Sequence, residues 1–298
     1  MAVVDCVIIG AGLAGLTGAI YLARSRRSVI VMDGGPSRAE LIPVSHNYPG
    51  FPAGVSGTDL LSRLREQAIN FGVKIKAGKA RALEKINNKF EVTVNDGVLL
   101  AEKVLLATGV EDKHPAIKDW ENIVCKGIIR LCPICDGYDA KDHRVAILSA
   151  ADCALTHAEF MRTYSNKVSL YLSPPEEPSS ATRAALATAN VELINETIES
   201  IFVENEKPIV RSNGMNREYD SLYIMLGEAR SIDLARQVGA GFTEEGRLQV
   251  DHHQSTTVEG LYAAGDVVSS LHQISVAIGQ AAIAATQIHN MLPRNFCK

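Results

Sequence analysis

The stretch "VDCVIIGAGLAGLTGAIYLARS", followed by "SVIVMD", constrains the fold more than any other part of the chain. A short, β-branched and almost wholly apolar run enters a turn containing Gly10, Gly12 and Gly15, and small and apolar residues then continue at helical spacing. That order reads as strand, glycine turn, helix. A second apolar run ends at Asp33, about 20 residues beyond the glycines, as the dinucleotide-binding fingerprint requires. Gly10 permits the tight turn, Gly12 lets backbone approach a pyrophosphate, and Gly15 lets the helix close on the strand. The first N–H groups of the helix receive phosphates. Asp33 is placed to accept hydrogen bonds from a ribose and to repel a 2′-phosphate, so this turn suits FAD or NAD rather than NADP.

The rest of the chain continues in α/β style. "TDLLSRLREQAINFG" reads as a helix, and the alternation in "KFEVTVN" predicts half-buried antiparallel strands. "KVLLATG" is a buried strand that ends in a small-residue turn. At "HRVAIL" a second βαβ-like unit begins, with "CALTHAEFMRTY" as its helix, "KVSLYLS" as its next strand and "SPPEEPSS" as a solvated loop. It is the only internal repetition. Near the end, "GLYAAGDV" is again strand then glycine turn, and "QISVAIGQAAIAATQIHNML" is a long small-residue helix. At 298 residues two domains are expected.

Bulk properties exclude several classes. Hydrophobic residues make up 46% and charged residues 21%, and a net charge of −4 offers no electrostatic case for nucleic acid or an anionic membrane. The first apolar run is broken by glycines and followed, rather than preceded, by Arg24, Arg26 and Arg27, the wrong order for a signal peptide. No stretch approaches the roughly 20 apolar residues of a membrane span. The expectation is a soluble cytoplasmic protein whose six cysteines stay reduced unless chemistry requires otherwise.

Cys132 and Cys135, in "RLCPICDGYDA", could hold a metal, cycle between dithiol and disulfide, or pack. A structural zinc needs four ligands, and only Cys125 and His143 lie near in sequence, neither at a usual spacing, so no metal is expected. Packing fits poorly with a proline, acid and glycine setting. The redox reading has positive support, because two intervening residues let the sulfurs close a small ring, and a thiolate at a helix start is stabilised. Asp136 is positioned to move the proton that accompanies each thiol, or to cap the turn.

"CVIIGAGLAGL", "HNYPGFP", "LLATG", "CPICDG" and "GLYAAGDV" occur in this order across nearly the whole chain, which therefore resembles the low-molecular-weight thioredoxin reductases. The resemblance implies an oxidoreductase with two Rossmann-like, three-layer ββα domains: an FAD domain at 1–113 and 245–298, and an inserted domain at 114–244 that carries the cysteine pair. It also implies a homodimer. Gly10, Gly12, Gly15 and Asp33 would hold the ADP half of FAD. Asn47, Thr108 and Gly109 would surround the flavin side. Gly265 and Asp266 would hold the ribityl chain, and Gln273 would sit near the ring. Cys135 resembles the thiol that faces the flavin, and Cys132 the one that attacks the disulfide of thioredoxin.

The inserted domain departs from the family, whose members carry a glycine fingerprint and an arginine cluster there for NADPH. Ser149 and Ala151 stand at the two glycine positions of "SAADCA", with Ala154 the only small position kept, and Glu176 and Glu177 stand where arginines are usual. Side chains then occupy the space of phosphate oxygens, and carboxylates repel a 2′-phosphate. This implies an NADPH-independent member, similar to the ferredoxin-linked flavin thioredoxin reductases, with a protein or other reductant as donor. Two rival readings remain: a flavin-dependent dithiol oxidase that hands electrons to oxygen, although such enzymes tend to have histidine where Asp136 stands, and a non-enzymatic flavin redox sensor. Among minor features, Phe296 and Cys297 could fold over an active site or fray, and His272 could tune the flavin. His252 and His253 suit a solvated turn, Cys6 is expected to be buried and inert, and Cys153 to pack within its helix.

Overall fold

The computed structural model describes residues 2–95 and 97–296. The chain forms two compact units. One runs through Glu40, from Gly57 to Glu111 and from Arg230 onward; the other comprises Leu41–Ser56 and Asp112–Ala229.

The first unit opens with β1 (Val3–Ile9), α1 (Leu13–Arg24) and β2 (Val29–Asp33). β1 ends because Gly10 has φ +114, a conformation that a residue with a Cβ rarely adopts. Then follow α2 (Gly57–Asn70), β3 (Lys74–Ala77), β4 (Ala82–Ile86), β5 (Lys89–Val94) and β6 (Gly97–Leu106). β3, β2, β1 and β6 lie side by side in parallel, and β5 and β4 continue beyond β6 as the antiparallel pair that the "KFEVTVN" alternation predicts.

The chain leaves the first unit through β7 (Val110–Asp112) and in the second passes through α3 (Trp120–Cys125), β8 (Ile129–Arg130), the single turn α4 (Pro133–Asp136), β9 (Arg144–Ser149), α5 (Ala151–Met161), β10 (Lys167–Leu172), α6 (Ser180–Thr188) and β11 (Val191–Ile194). It continues with β12 (Ile198–Glu204), β13 (Lys207–Ser212), β14 (Met215–Glu218), β15 (Ser221–Met225) and β16 (Glu228–Arg230). β11, β10, β9, β15 and β8 make a parallel sheet in that order, β12 to β14 make a separate antiparallel sheet, and β16 pairs with β7. β9 and β10 are apolar and buried along nearly their whole length, as a strand covered on both faces must be.

The chain returns to the first unit through α7 (Asp233–Gln237), β17 (Leu261–Ala263) and α8 (Ile274–Met291). β17 extends the parallel sheet on the far side of β6, and α8 packs on α1. Arg27 ties this corner, donating from Nε to Nδ1 of His289 at 3.1 Å and from Nη2 to the His289 carbonyl at 3.2 Å, with Asp5 at 3.6 Å.

The unit boundaries differ from the expected 113/114 and 244/245. Residues 230–244 fold with the first unit because Ile232, Ala235 and Ala240 enter its core beside Leu83 and Phe90. Residues 41–56 group with the second, where Leu41 packs against the Trp120–Ile129 core. Among the described residues no helix is long and apolar enough to cross a membrane.

Candidate active site

In the first unit the glycine turn lies at the carboxyl ends of β1 and β6, on opposite sides of which β2 and β17 lie, the switch point where open α/β sheets bind ligands. A Cβ on Gly10 would overlap the Ala107 carbonyl oxygen, and one on Gly15 would overlap the Gly10 carbonyl oxygen. Gly12 differs: its φ of −79 suits any residue, and a Cβ there would meet only Ser37 Oγ, at 3.2 Å. Gly10 and Gly15 are therefore demanded by packing, whereas Gly12 leaves space in front of the α1 N-terminus, which no side chain caps and which has no acid in its first turn. This cradle fits the diphosphate of FAD.

Asp33, at the end of β2, accepts from the Gly35 N–H at 3.2 Å and pairs with Arg65 of α2 at 2.6 Å. Asp266 pairs with Arg38 at 3.1 Å. Gly265 has φ +87, and its N–H donates to Gln280 Oε1 at 2.9 Å. Thr108 donates to the Ser231 carbonyl at 2.7 Å, Gly109 turns the chain with φ +65, and Gln273 is the N-cap of α8. His272 lies 3.2 Å from the Ser269 carbonyl through Nε2. All the residues expected to hold FAD except Asn47 lie in the first unit. Arg38 and Arg65, which place cations on the two acids, were missed because each contact joins distant parts of the chain.

In the second unit Cys132 and Cys135 form a disulfide, with their Cα atoms 5.3 Å apart. Cys132 is the extended N-cap of α4, and Pro133 occupies the first helical position, where its missing N–H costs nothing. The N–H groups of Cys135 and Asp136 both reach the Cys132 carbonyl, at 2.9 and 3.3 Å, and close the turn that brings the sulfurs together. Gly137 follows because a Cβ there would lie 2.7 Å from the Tyr164 ring. Asn47 belongs to this unit: it accepts from Ser45 at 3.1 Å and donates to the Ile134 carbonyl, between the cysteines, at 3.3 Å.

Asp136 is the best-held acid of the site. Arg130 Nη1 lies 3.3 Å from Oδ2, and the Tyr223 hydroxyl donates to Oδ1 at 3.0 Å. Burial pushes the carboxyl above the usual carboxylate range; Arg130 and Tyr223 oppose that rise, and Asp139 adds to it. Arg130 and Tyr223 were also missed, because β8 and β15 become neighbours only on folding.

The turn between β9 and α5 is a different environment. Ser149, fully buried, donates to the Ala150 carbonyl at 3.0 Å and lies 2.9 Å from Nδ1 of His157, so its side chain is stitched across the turn. Burial holds His157 below its ordinary value. Asp152 puts a carboxylate in the first turn of α5, and Glu177 is paired with Arg183.

The remaining expectations fall out as follows. Cys6 is buried, and burial pushes its thiol far up. His252 and His253 sit in an exposed turn. Cys153 is exposed rather than packed, since Ala154 and Ala158 supply the buried face of α5. Phe296 is 82% exposed, and Cys297 lies outside the described residues. Among the described residues no three His, Cys, Asp or Glu side chains cluster to hold a metal.

Comparison with known proteins agrees with this geometry. The model of the pyridine nucleotide-disulphide oxidoreductase family matches residues 4–281. The thioredoxin reductase of Aquifex aeolicus (strain VF5) is 31% identical, with 97% of this chain and 94% of that protein covered. The crystal structure of HlmI superposes with a TM-score of 0.89 at 25% identity, covering 97% of this chain and 92% of that one. The atypical thioredoxin reductase TRi from Desulfovibrio vulgaris Hildenborough is 29% identical with a TM-score of 0.54, covering 96% and 97%. With the family pattern spanning nearly the whole chain and its redox disulfide formed, the protein belongs to the pyridine nucleotide-disulphide oxidoreductase family, as an FAD-dependent enzyme of thioredoxin-reductase type.

Proposed function

We propose that this enzyme reduces the disulfide of thioredoxin or a similar protein, as a homodimer, and that its electrons come from a ferredoxin-like or other donor rather than from NADPH. The Cys132–Cys135 disulfide beside a clamped, buried Asp136 carries the reading. FAD, when bound, supplies the electron pair that opens this disulfide. Two protons must arrive with the two electrons, and Asp136 is the adjacent acid. Cys132 thiolate attacks one sulfur of the partner's disulfide and forms a mixed disulfide; the other partner sulfur leaves and takes a proton from Asp136. Cys135 then passes its thiol proton to the Asp136 carboxylate and attacks Cys132, which restores the ring; the second partner sulfur leaves, takes that proton, and the partner departs as a dithiol. Ile134 and Tyr138, 53% and 75% exposed, offer apolar contacts to such a partner beside the sulfurs.

Loss of the second nucleotide cradle supports the donor assignment. A dinucleotide entering between β9 and α5 would meet the Ser149–His157 contact and the Asp152 carboxylate, and in the loop after β10 Glu177 holds a carboxylate paired with Arg183. The test is anaerobic. The flavin should stay oxidised with excess NADPH or NADH and bleach with dithionite, and the reduced enzyme should then convert oxidised thioredoxin to its dithiol. Rapid bleaching by NADPH would sink the donor assignment. Unchanged thioredoxin would sink the substrate, and hydrogen peroxide formed on adding small dithiols in air would favour an oxidase.

A further inference from the structure

Arg130 and Tyr223 are register partners, facing each other across the β8–β15 pair, so their side chains leave the sheet on the same face. Both reach Asp136, and each makes two contacts. Arg130 Nη1 lies 3.3 Å from Oδ2 and donates to the Asp136 carbonyl at 3.2 Å; the Tyr223 hydroxyl lies 3.0 Å from Oδ1 and 3.3 Å from the same carbonyl. Each carboxylate oxygen thus has its own donor, and the same donors tie the backbone at the end of α4. We infer that Arg130 and Tyr223 are positioning residues that clamp the Asp136 carboxyl beside the Cys132–Cys135 disulfide and govern its proton transfer, an inference that rests on the reading of Asp136 as the acid.

A closed turn alone does not call for this arrangement. Tyr223 is fully buried, the side chains of Arg130 and Asp136 are only 15% and 16% exposed, and Nε of Arg130 is buried without a hydrogen-bond partner. Burying such groups is costly, and partly buried charged groups whose proton affinity is shifted concentrate at functional sites. The other charge facing the carboxyl is Asp139, from the turn after α4, while the uncharged ring of Tyr164 covers Gly137. When Asp136 gives its proton to a departing sulfur, the new negative charge is met by the Arg130 guanidinium and the Tyr223 hydroxyl. Removing either donor destabilises the carboxylate, so the carboxyl holds its proton to higher pH and becomes a weaker acid.

Tyr223→Phe keeps the shape of the buried ring and removes one oxygen. It should move the basic limb of the pH profile for thioredoxin reduction upward by about one pH unit, the tenfold change that one hydrogen bond to a charged group commonly makes. Arg130→Gln should shift it in the same direction, and Arg130→Lys, which keeps the charge, should restore part of the shift. The Asp136 carboxyl carbon, followed by NMR in the oxidised, non-turning holoenzyme, should titrate higher by the same amount in Tyr223→Phe. A merely structural clamp would lower stability or flavin content and leave both midpoints in place; that result overturns the inference. Asp136→Asn separates the two levels. If it is slow while Tyr223→Phe and Arg130→Gln leave the limb unmoved, the clamp fails and the acid stands. If Asp136→Asn turns over normally, the acid fails and the clamp with it.

Discussion

Gly12 and Gly15 stand three residues apart in one turn, yet the fold asks different things of them. A methyl at Gly15 would land on the Gly10 carbonyl oxygen and within 3.0 Å of its carbon, both backbone atoms that cannot move aside. Helix α1 must then lift from β1, an overpacking that costs about 1–3 kcal/mol. A methyl at Gly12 meets only the end of Ser37, and the backbone there is already of a kind open to any residue, so apart from a modest loss of N-cap quality, less than about 1 kcal/mol, the apoprotein should be unharmed. What Gly12→Ala loses is the approach of backbone to the diphosphate. Hydrogen bonds to charged groups are worth about 1.5–3 kcal/mol, so FAD affinity should fall roughly 10-fold to 150-fold. Urea unfolding of flavin-free protein and titration with FAD separate the two effects. Wild-type FAD affinity in Gly12→Ala, or wild-type apoprotein stability in Gly15→Ala, would refute the assignment of these roles.

Other perturbations have equally definite outcomes. Asp136→Asn should lower the rate of thioredoxin reduction by about 10²–10⁴-fold, the usual worth of a positioned acid, as measured under single-turnover conditions. The same variant reports on folding. Because the native carboxyl binds its proton more tightly than the unfolded one, the native state holds more protons between the two values, and wild-type stability drops as pH rises through that window. The unfolding free energy of Asp136→Asn relative to wild type should therefore improve as pH rises above about 4, where an unperturbed Asp ionises; a difference that does not change with pH above that point contradicts the environment assigned to Asp136. Arg27→Met should cost about 1–3 kcal/mol in urea unfolding, because it strips the hydrogen bonds from His289 at the end of α8.

The spacing from Gly10 to Asp33 was legible because a strand, a glycine turn and a helix are local, and Gly10 and Gly15 stand where backbone carbonyl groups leave no room for a Cβ. The Cys132–Cys135 disulfide was legible in part: spacing allowed a metal as well as a disulfide, and the setting of proline, acid and glycine, then the family resemblance, narrowed it. The clamp on Asp136 was not legible, since it depends on the register of β8 against β15. Nor were the cations on Asp33 and Asp266, which come from α2 and from the turn after β2. The grouping of residues 230–244 with the first unit was hidden because α7 is only five residues long, and Ala235 within it and Ile232 just before it give too short a period to read. Cys153 shows the limit of composition: a cysteine in an apolar helix is expected inside, but the buried stripe falls on Ala154, Ala158 and Met161.

The central claim, that electrons pass through the flavin to the Cys132–Cys135 disulfide, is tested most directly by counting them. In an anaerobic dithionite titration of the FAD-loaded enzyme, wild type should take up four electrons per chain, two for the flavin and two for the disulfide, and Cys135→Ser should take up two. A wild-type enzyme that is fully reduced by two electrons, with no thiols gained, would contradict it.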